Sequence, residues 1–502
     1  MTKRLLTFLF TISYLFLLGQ SIDDPFSQRK MRKDLEIFKE IRLKANSGLY
    51  KYRTKEQIDS SYLWAENEIN NASTYLDFYN IICELTDFEG SAHNDTDFSA
   101  KHEENIEKES YGYFPYPIKW IEEKWRINFE KGKIPLGSEI ISINQVPIFE
   151  IIKELNKYYP TDGVNTTGKR IGIRTHFAKY YRWKYGLTKY FEVEYREPYS
   201  DQIKREKING VSNSDYYNNF RKMFSMPLDI FYYANLKENQ KYKYKQINNS
   251  TGILTIYDFG IGNETTEAHK RYCIFLDSIF SEIKTKNISN LVVDIRQNNG
   301  GDDPNDVVTY SYLTQRNFRE SKEVWINFKK VPYLKYYNSS IPKFLRPFGV
   351  GKYNRRFQNR FPQYRNGKYY ISDRESEMQL RKPNEKAFNG KIYLLVSPAV
   401  ASAGSLFAAM VSGNRNTITV GEETLGGYYG HNGHTPMDYK LPKSKIITEF
   451  FVENIEQDVP EKSNQIYGRG IIPDMEVLQT FEDYSKNEDT QLNFVFDLIK
   501  SK

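Results

Sequence analysis

Ser402 is the residue of this chain whose setting most invites chemistry. It stands in SPAVASAGSLFAAM, where an apolar strand, Lys391–Val396, passes through a bend of small residues into a helical stretch. A serine at a helix N-terminus is ordinarily a cap, contributing about 1 kcal/mol of stability. It can also be a nucleophile, because exposed amides and the helix dipole favour negative charge developing there. Ala401 and Ala403 leave room for a substrate backbone. Ser397, Ser405 and Ser412 compete, but Ser405 is expected one turn inside the helix and Ser412 at its far end. A serine hydroxyl also needs a base, and imidazole suits the task because its pKa, about 6.5, lies close to working pH. His93 lies in the polar loop EGSAHNDTDFS, and His431 and His434 lie in GHNGHT, downstream of Ser402. Gly300 and Gly301 end the stretch VVDIRQNNGG. Glycines there keep side chains away and can aim an amide at a carbonyl oxygen; with the Ala403 amide they would form an oxyanion hole. They equally suit a turn that needs positive φ.

These residues need a scaffold to hold them. From 251 to 480, strands alternate with helices: TGILTIYDFGI, then AHKRYCIFLDSIFSEIKTK, then the buried strand before the Gly pair, then DVVTYSYLTQ. KIYLLVSP, the Ser402 helix, TITVG and strands around IITEFFVEN follow. This order predicts an α/β unit, a mostly parallel sheet with helices on its faces. A long insertion rich in Arg, Tyr and Phe interrupts it at 316–388. Residues 22–110 read as a helical region carrying His93; MRKDLEIFKEIRLKA places Leu35, Phe38, Ile41 and Leu43 near one face. Residues 111–198 form a further unit, in which EIISINQVPI predicts an alternating strand, IFEIIKEL an amphipathic helix, and residues 188–198 a closing strand. Residues 199–250 are a polar connection, and 481–502 end the chain as a helix.

The totals agree with this division. A chain of 502 residues is expected to hold two or three domains. Its 39% hydrophobic and 27% charged residues fit a soluble globular protein. The net charge of +7 comes with no long basic block, so nucleic acid is not an expected partner. Lys3 and Arg4 precede the apolar run LLTFLFTISYLFLL, and GQS then offers small residues, the layout of a signal peptide over 1–21. The run is shorter than the ~20 apolar residues a membrane span needs. Cys83 and Cys273 read as free thiols, although an exported protein permits a bridge. No zinc-ligand spacing or calcium loop occurs, so neither metal nor organic cofactor is expected.

Four motifs in one order carry a resemblance. VVDIRQNNGG, SPAVASAGSLFAAM, GEETLGG and GRGIIPDMEV resemble the elements of the tail-specific, or carboxy-terminal processing, serine proteases. The resemblance implies a crotonase/ClpP-like mixed sheet with helices in the protease domain, so that the whole chain is an α/β, or α+β multidomain, protein. It also implies a PDZ-like domain at 111–198 that binds a chain end or extended segment by strand addition. Ser402 matches the family's nucleophile. Many members carry a base lysine after Gly-Glu-x-Thr-x-Gly, but this chain has Gly427 there and no lysine until Lys440. The tricorn-like branch uses an N-terminal histidine and a distant glutamate. His93 fits that histidine, and Glu461, chosen narrowly over Glu453 and Glu456, fits the glutamate. His431 and Gly427 would then line the substrate cleft. The whole resembles exported bacteroidete-type members, which implies a peptide or protein substrate and a periplasmic, envelope or secreted location. Two other readings stand beside it. One is a non-catalytic peptide-binding homologue; the other is an esterase-like hydrolase using His431 or His434, since VASAG half-matches a nucleophile elbow.

Overall fold

The computed structural model describes residues 21–225, 236–301, 304–339 and 351–501. The apolar run at 5–18, and all of the expected leader but Ser21, lie outside the described residues. Among the described residues no helix is long and apolar enough to cross a membrane.

Helices α1 (Gln28–Ala45), α2 (Lys55–Glu68) and α3 (Tyr75–Phe88) open the chain. In α1 the buried residues Met31, Leu35, Phe38 and Ile41 recur at helical spacing. Thr54 and Thr74 start α2 and α3 with reciprocal caps to Gln57 and Asp77. Strand β1 (Asp95–Asp97) and helix α4 (Ala100–Glu107) follow. An antiparallel sheet comes next: β2 (Ile118–Ile121), β3 (Lys124–Ile127), β4 (Glu139–Ile143), β5 (Val146–Pro147), β6 (Tyr190–Arg196) and β7 (Ile203–Asn209). Helices α5 (Ile148–Leu155) and α6 (Lys169–Tyr185) lie between β5 and β6, and α7 (Asn213–Arg221) follows β7. The stretch EIISINQVPI, expected as one strand, is a hairpin instead. Asn144 and Gln145 adopt φ of 51° and 66°, the left-handed pair that a two-residue hairpin turn demands, so β5 folds back onto β4.

The chain continues through β8 (Tyr242–Gln246), β9 (Thr251–Ile256), α8 (Glu267–Thr285), β10 (Asn290–Asp294) and α9 (Asn305–Ser311). Then come β11 (Ser321–Ile326), α10 (Gly351–Arg360), β12 (Gln363–Arg365), β13 (Lys368–Tyr370), β14 (Lys391–Val396) and α11 (Ala403–Ser412). The last elements are β15 (Thr417–Gly421), β16 (Asn432–Lys440), β17 (Ile447–Gln457), β18 (Met475–Glu476), α12 (Phe481–Ser485) and α13 (Thr490–Lys500).

One sheet runs β18-β15-β14-β10-β9-β8, parallel except for β8. Alternate residues of its strands face opposite sides. Leu291, Val293, Ile392 and Leu394 pack with Leu276 and Phe280 of α8 and Phe407 of α11. Val292, Tyr393, Leu395 and Val420 pack with Val495 of α13. Arg296 pins the end of β10 to the start of α13, pairing with Asp294 and Asp489, each at 2.7 Å.

A second sheet centres on β17, which pairs with β16, β1 and β11; β11 continues to β13 and β12. The stretch 316–388, expected as an insertion, thus completes a sheet. The N-terminal region also enters that sheet, through β1. Arg42 of α1, wholly buried, fastens the two. Its guanidinium lies 4.9 Å from the Phe38 ring and 4.3 Å from the Phe450 ring of β17. It pairs with Glu89 at 3.2 Å and donates to the Thr448 hydroxyl at 2.7 Å. Cys83 and Cys273 are both free.

Removing one partner of a buried ion pair leaves the other charge stranded. Arg42→Ala is therefore expected to lower unfolding stability by about 3 kcal/mol. Urea titration checks this, and a loss below about 1 kcal/mol, the scale of an exposed pair, would contradict the pinning role.

Candidate active site

The parallel sheet ends, at the C-terminal edges of β10, β14 and β15, in three loops that carry sequence motifs, and the fourth motif, at 468–477, leads into β18, which pairs with β15. Ser402 follows β14 and immediately precedes α11. Its backbone adopts φ 50° and ψ −130°, a region that costs a residue with a side chain about 1–3 kcal/mol. Its hydroxyl makes no capping bond to the helix, so Ser402 is not a conventional N-cap. The rival serines are engaged: the Ser397 hydroxyl donates to the Arg296 carbonyl, and the Ser405 hydroxyl to that of Ser402. Ser412 is buried at the far end of α11.

Asn298, wholly buried, braces the Ser402 turn. Its backbone carbonyl accepts the Ala401 amide at 3.3 Å. Its side-chain oxygen accepts the Gly300 amide at 3.0 Å, and its side-chain nitrogen donates to the Ile256 carbonyl at 3.3 Å. Gly300 must be glycine. Its φ is 120°, and a Cβ there would stand 2.8 Å from the Ser402 Cβ. Of the three residues expected to form an oxyanion hole, Gly300 therefore supplies clearance; its amide is committed to Asn298. Among the described residues, the amides of Gly301 and Ala403 carry no hydrogen bond.

The other two motifs pack against this turn. The Leu425 and Gly426 amides donate to the Val400 carbonyl at 3.1 and 3.2 Å. Glu423 accepts the Gly470 amide at 2.9 Å and pairs with Arg469. The Thr424 hydroxyl accepts the Ile471 amide at 2.8 Å. The elements Gly-Glu-x-Thr-x-Gly and Gly-x-x-Pro-Asp are thus one joint, closed by side-chain to backbone bonds.

His93 reaches this region because its loop joins α3 to β1. Strand β1 lies against β17, and β17 pairs Asn454 with Asn432 of β16. The His93 ring therefore stacks on His431, centroids 5.1 Å apart, and lies tilted against Phe451 at 4.6 Å. Burial pushes its pKa down to about 4, with His434 adding to the effect and the Asn432 backbone opposing it. Burial also depresses His431, helped by His93, His434 and Lys51. Both rings are neutral at physiological pH. No carboxylate contributes to the His93 shift, and its Nδ1 is buried without a partner. His431 and His434 do not sit in a free loop: His431 is buried before β16, and His434 lies within β16 at a bulge, 3.7 Å from Glu377.

The structure brings Ser402, Gly300, Gly301 and Ala403 together and sets His93 with His431. No hydrogen bond joins Ser402 to His93. Glu461 stands apart: it is exposed and makes no described hydrogen bond or ion pair. Glu453 is fully buried but is held by Arg360 at 3.1 Å and Thr435 at 3.0 Å, while Glu456 pairs across the sheet with Glu323. Lys51 donates to Asn454 and to the Ile455 carbonyl at 2.8 and 2.9 Å, on β17. Sequence reasoning missed Asp162. It lies in PTDGVN, which reads as an ordinary turn. Asp162 is 1% exposed, and its Oδ1 accepts the Ala92 amide at 2.9 Å. Burial raises its pKa to about 6 against the opposing effects of the Ala92 and Gly427 amides and Lys51.

Comparison with known proteins fits this arrangement. Residues 250–477 match the model of Peptidase family S41. The structure of mature CPAF superposes with a TM-score of 0.60 at 11% identity, covering 91% of this chain and 95% of that one. CPAF complexed with lactacystin gives 0.60 at 11% identity, covering 94% and 98%. These likenesses establish the fold. A search of curated proteins finds no match.

Gly300→Ala places a methyl group against Ser402 and forces an unfavourable φ. It is expected to lower stability by about 1–3 kcal/mol and to abolish any reaction at Ser402. Calorimetry and labelling by a serine-directed phosphonate check the two effects; normal labelling would contradict the clearance role.

Proposed function

We propose that this chain, a serine-type peptidase whose residues 250–477 belong to the tail-specific, or carboxy-terminal processing, family S41, hydrolyses internal peptide bonds through an acyl-enzyme on Ser402. The observation that carries the reading is the strained backbone of Ser402. A turn that sacrifices a helix cap and accepts a disfavoured φ is hard to account for except by a hydroxyl that must face outward.

Ser402 Oγ attacks the scissile carbonyl carbon, and His93 takes its proton. The oxyanion accepts hydrogen bonds from the Gly301 and Ala403 amides; one such donor is worth about 3 kcal/mol of barrier. Collapse returns the proton to the leaving amine, and water then hydrolyses the ester. His93 is oriented by stacking on His431 and by the tilted Phe451 ring. This takes the place of the expected Glu461. The missing Ser402–His93 bond is compatible with the mechanism, because such bonds are often long before substrate arrives and tighten in the complex. Residues 111–198 bind an extended segment in the manner of a PDZ domain, presenting the edge of their antiparallel sheet. Export follows from the signal-peptide layout at 1–21 and places the enzyme in the periplasm, the envelope or outside the cell.

Two measurements test the reading. Ser402→Ala and His93→Ala are each expected to reduce peptide hydrolysis by at least about a thousandfold, with the melting temperature of Ser402→Ala nearly unchanged. Activity above one tenth of wild type in Ser402→Ala sinks the assignment. The second is the pH profile. A base works unprotonated, and burial holds His93 near 4. Activity should be complete above the usual histidine value and disappear only as pH falls towards 4. An acid limb centred at about 6.5 would show that the base is a solvated imidazole elsewhere.

A further inference from the structure

The loop at 162–165 touches both halves of the proposed site. The Gly163 amide donates to the Gly90 carbonyl at 2.8 Å, and the Val164 amide to the Gly468 carbonyl at 2.7 Å. The Asn165 side chain donates to the Thr424 and Leu425 carbonyls at 2.6 and 3.1 Å. Gly90 and Gly163 have φ of 72° and 62°, and a Cβ at Gly163 would lie 2.2 Å from the Gly468 oxygen. Three backbones therefore cross in direct contact: the loop before His93, the 162–165 loop, and the loop of the last motif. At this crossing sits the Asp162 carboxylate. Its Oδ1 holds the amide of Ala92, the residue before His93. The Leu425 and Gly426 amides, beside the carbonyls that Asn165 holds, are in turn bonded to the Ser402 turn through Val400. Asp162 Oδ2 is buried without a partner, and burying a carboxylate is costly.

We infer that Asp162 is a positioning residue of the peptidase: its carboxylate locks the His93 loop to the 162–165 loop, which Asn165 ties to the loop beside Ser402, and so fixes the base relative to the nucleophile. This rests on the function proposed above. Asp162 acts on the backbone and not on the imidazole, because its charge contributes nothing to the His93 shift. The family resemblance places a base lysine at Gly427, and this chain has none there. A chain with its base on a distant loop needs such a link, and a chain with the lysine in place does not.

The test compares Asp162→Ala and Asp162→Asn in the full chain, with peptide hydrolysis and phosphonate labelling as readouts. In Asp162→Ala, kcat is expected to fall about a hundredfold with KM within threefold of wild type, and labelling of Ser402 to slow in parallel. The acid limb of kcat/KM should also move up from near 4 towards 6.5, because a released His93 regains water and separates from His431, His434 and Lys51, the titratable groups that face this pair. Loss of stability alone would not move that limb. Asp162→Asn keeps one carbonyl oxygen for the Ala92 amide and is expected to lose threefold to tenfold in kcat. If Asp162→Ala does not fold, Asp162→Asn decides: that partial loss at unchanged KM supports the inference. Wild-type kcat in either folded variant overturns it, as does an unmoved acid limb in Asp162→Ala. Should Ser402→Ala remain active, the peptidase reading falls and takes this inference with it; wild-type kcat at Asp162 beside a dead Ser402→Ala removes the inference alone.

Discussion

The site depends on Asn298 holding the Ser402 turn in a conformation it would not choose. Through one residue, three strand ends meet: Nδ2 on the end of β9, Oδ1 on the Gly pair after β10, and the backbone carbonyl on Ala401 after β14. A parallel sheet supplies such convergence because all its strands finish on one side. Gly300 and Gly404 then let the pieces close. A Cβ at Gly404 would lie 2.4 Å from the Asn298 carbonyl oxygen, and one at Gly300 would strike Ser402. The strain is local and the bracing is buried, which is how a fold keeps a disfavoured dihedral from relaxing.

The second constraint is distance along the chain. His93 and Ser402 are separated by some three hundred residues, and the parallel sheet that carries Ser402 does not include the His93 loop. The sheet centred on β17 holds that loop beside His431. It takes β1 from the N-terminal region and β11 from the segment before β14, and it anchors α1 through Arg42. His93 lands beside His431 because β1 and β16 share β17 as a neighbour. The 162–165 loop then adds a third body, so that helices, antiparallel sheet and parallel sheet all contribute to one crossing.

Much of the parallel unit was legible. The strand KIYLLV and the helix AGSLFAAM have strong local patterns, and each motif sits on a sheet end, as its glycines require. The N-terminal helices were legible from periodicity in residues such as Leu35, Phe38 and Ile41. Less was legible where partners are remote. The stretch 316–388 reads as an insertion because β11, besides its pairing with β13, joins the sheet through β17, more than a hundred residues later. EIISINQVPI looked like one strand because Asn144–Gln145 makes its turn without glycine. Glu461 drew attention by its place before Gly-x-x-Pro-Asp, yet it follows the end of β17 and faces solvent. Asp162 had no signal at all: a turn aspartate and a buried brace look alike until the backbones that surround it are known.

The most direct measurement is a crystal structure of the protein reacted with a fluorophosphonate. The account requires the phosphorus on Ser402 Oγ with φ still near 50°, the phosphoryl oxygen about 2.7–3.1 Å from both the Gly301 and Ala403 amides, and the His93 imidazole within about 3 Å of the ester oxygen. A Ser402 relaxed into a helix cap, or an adduct that leaves those amides and His93 out of reach, would contradict it.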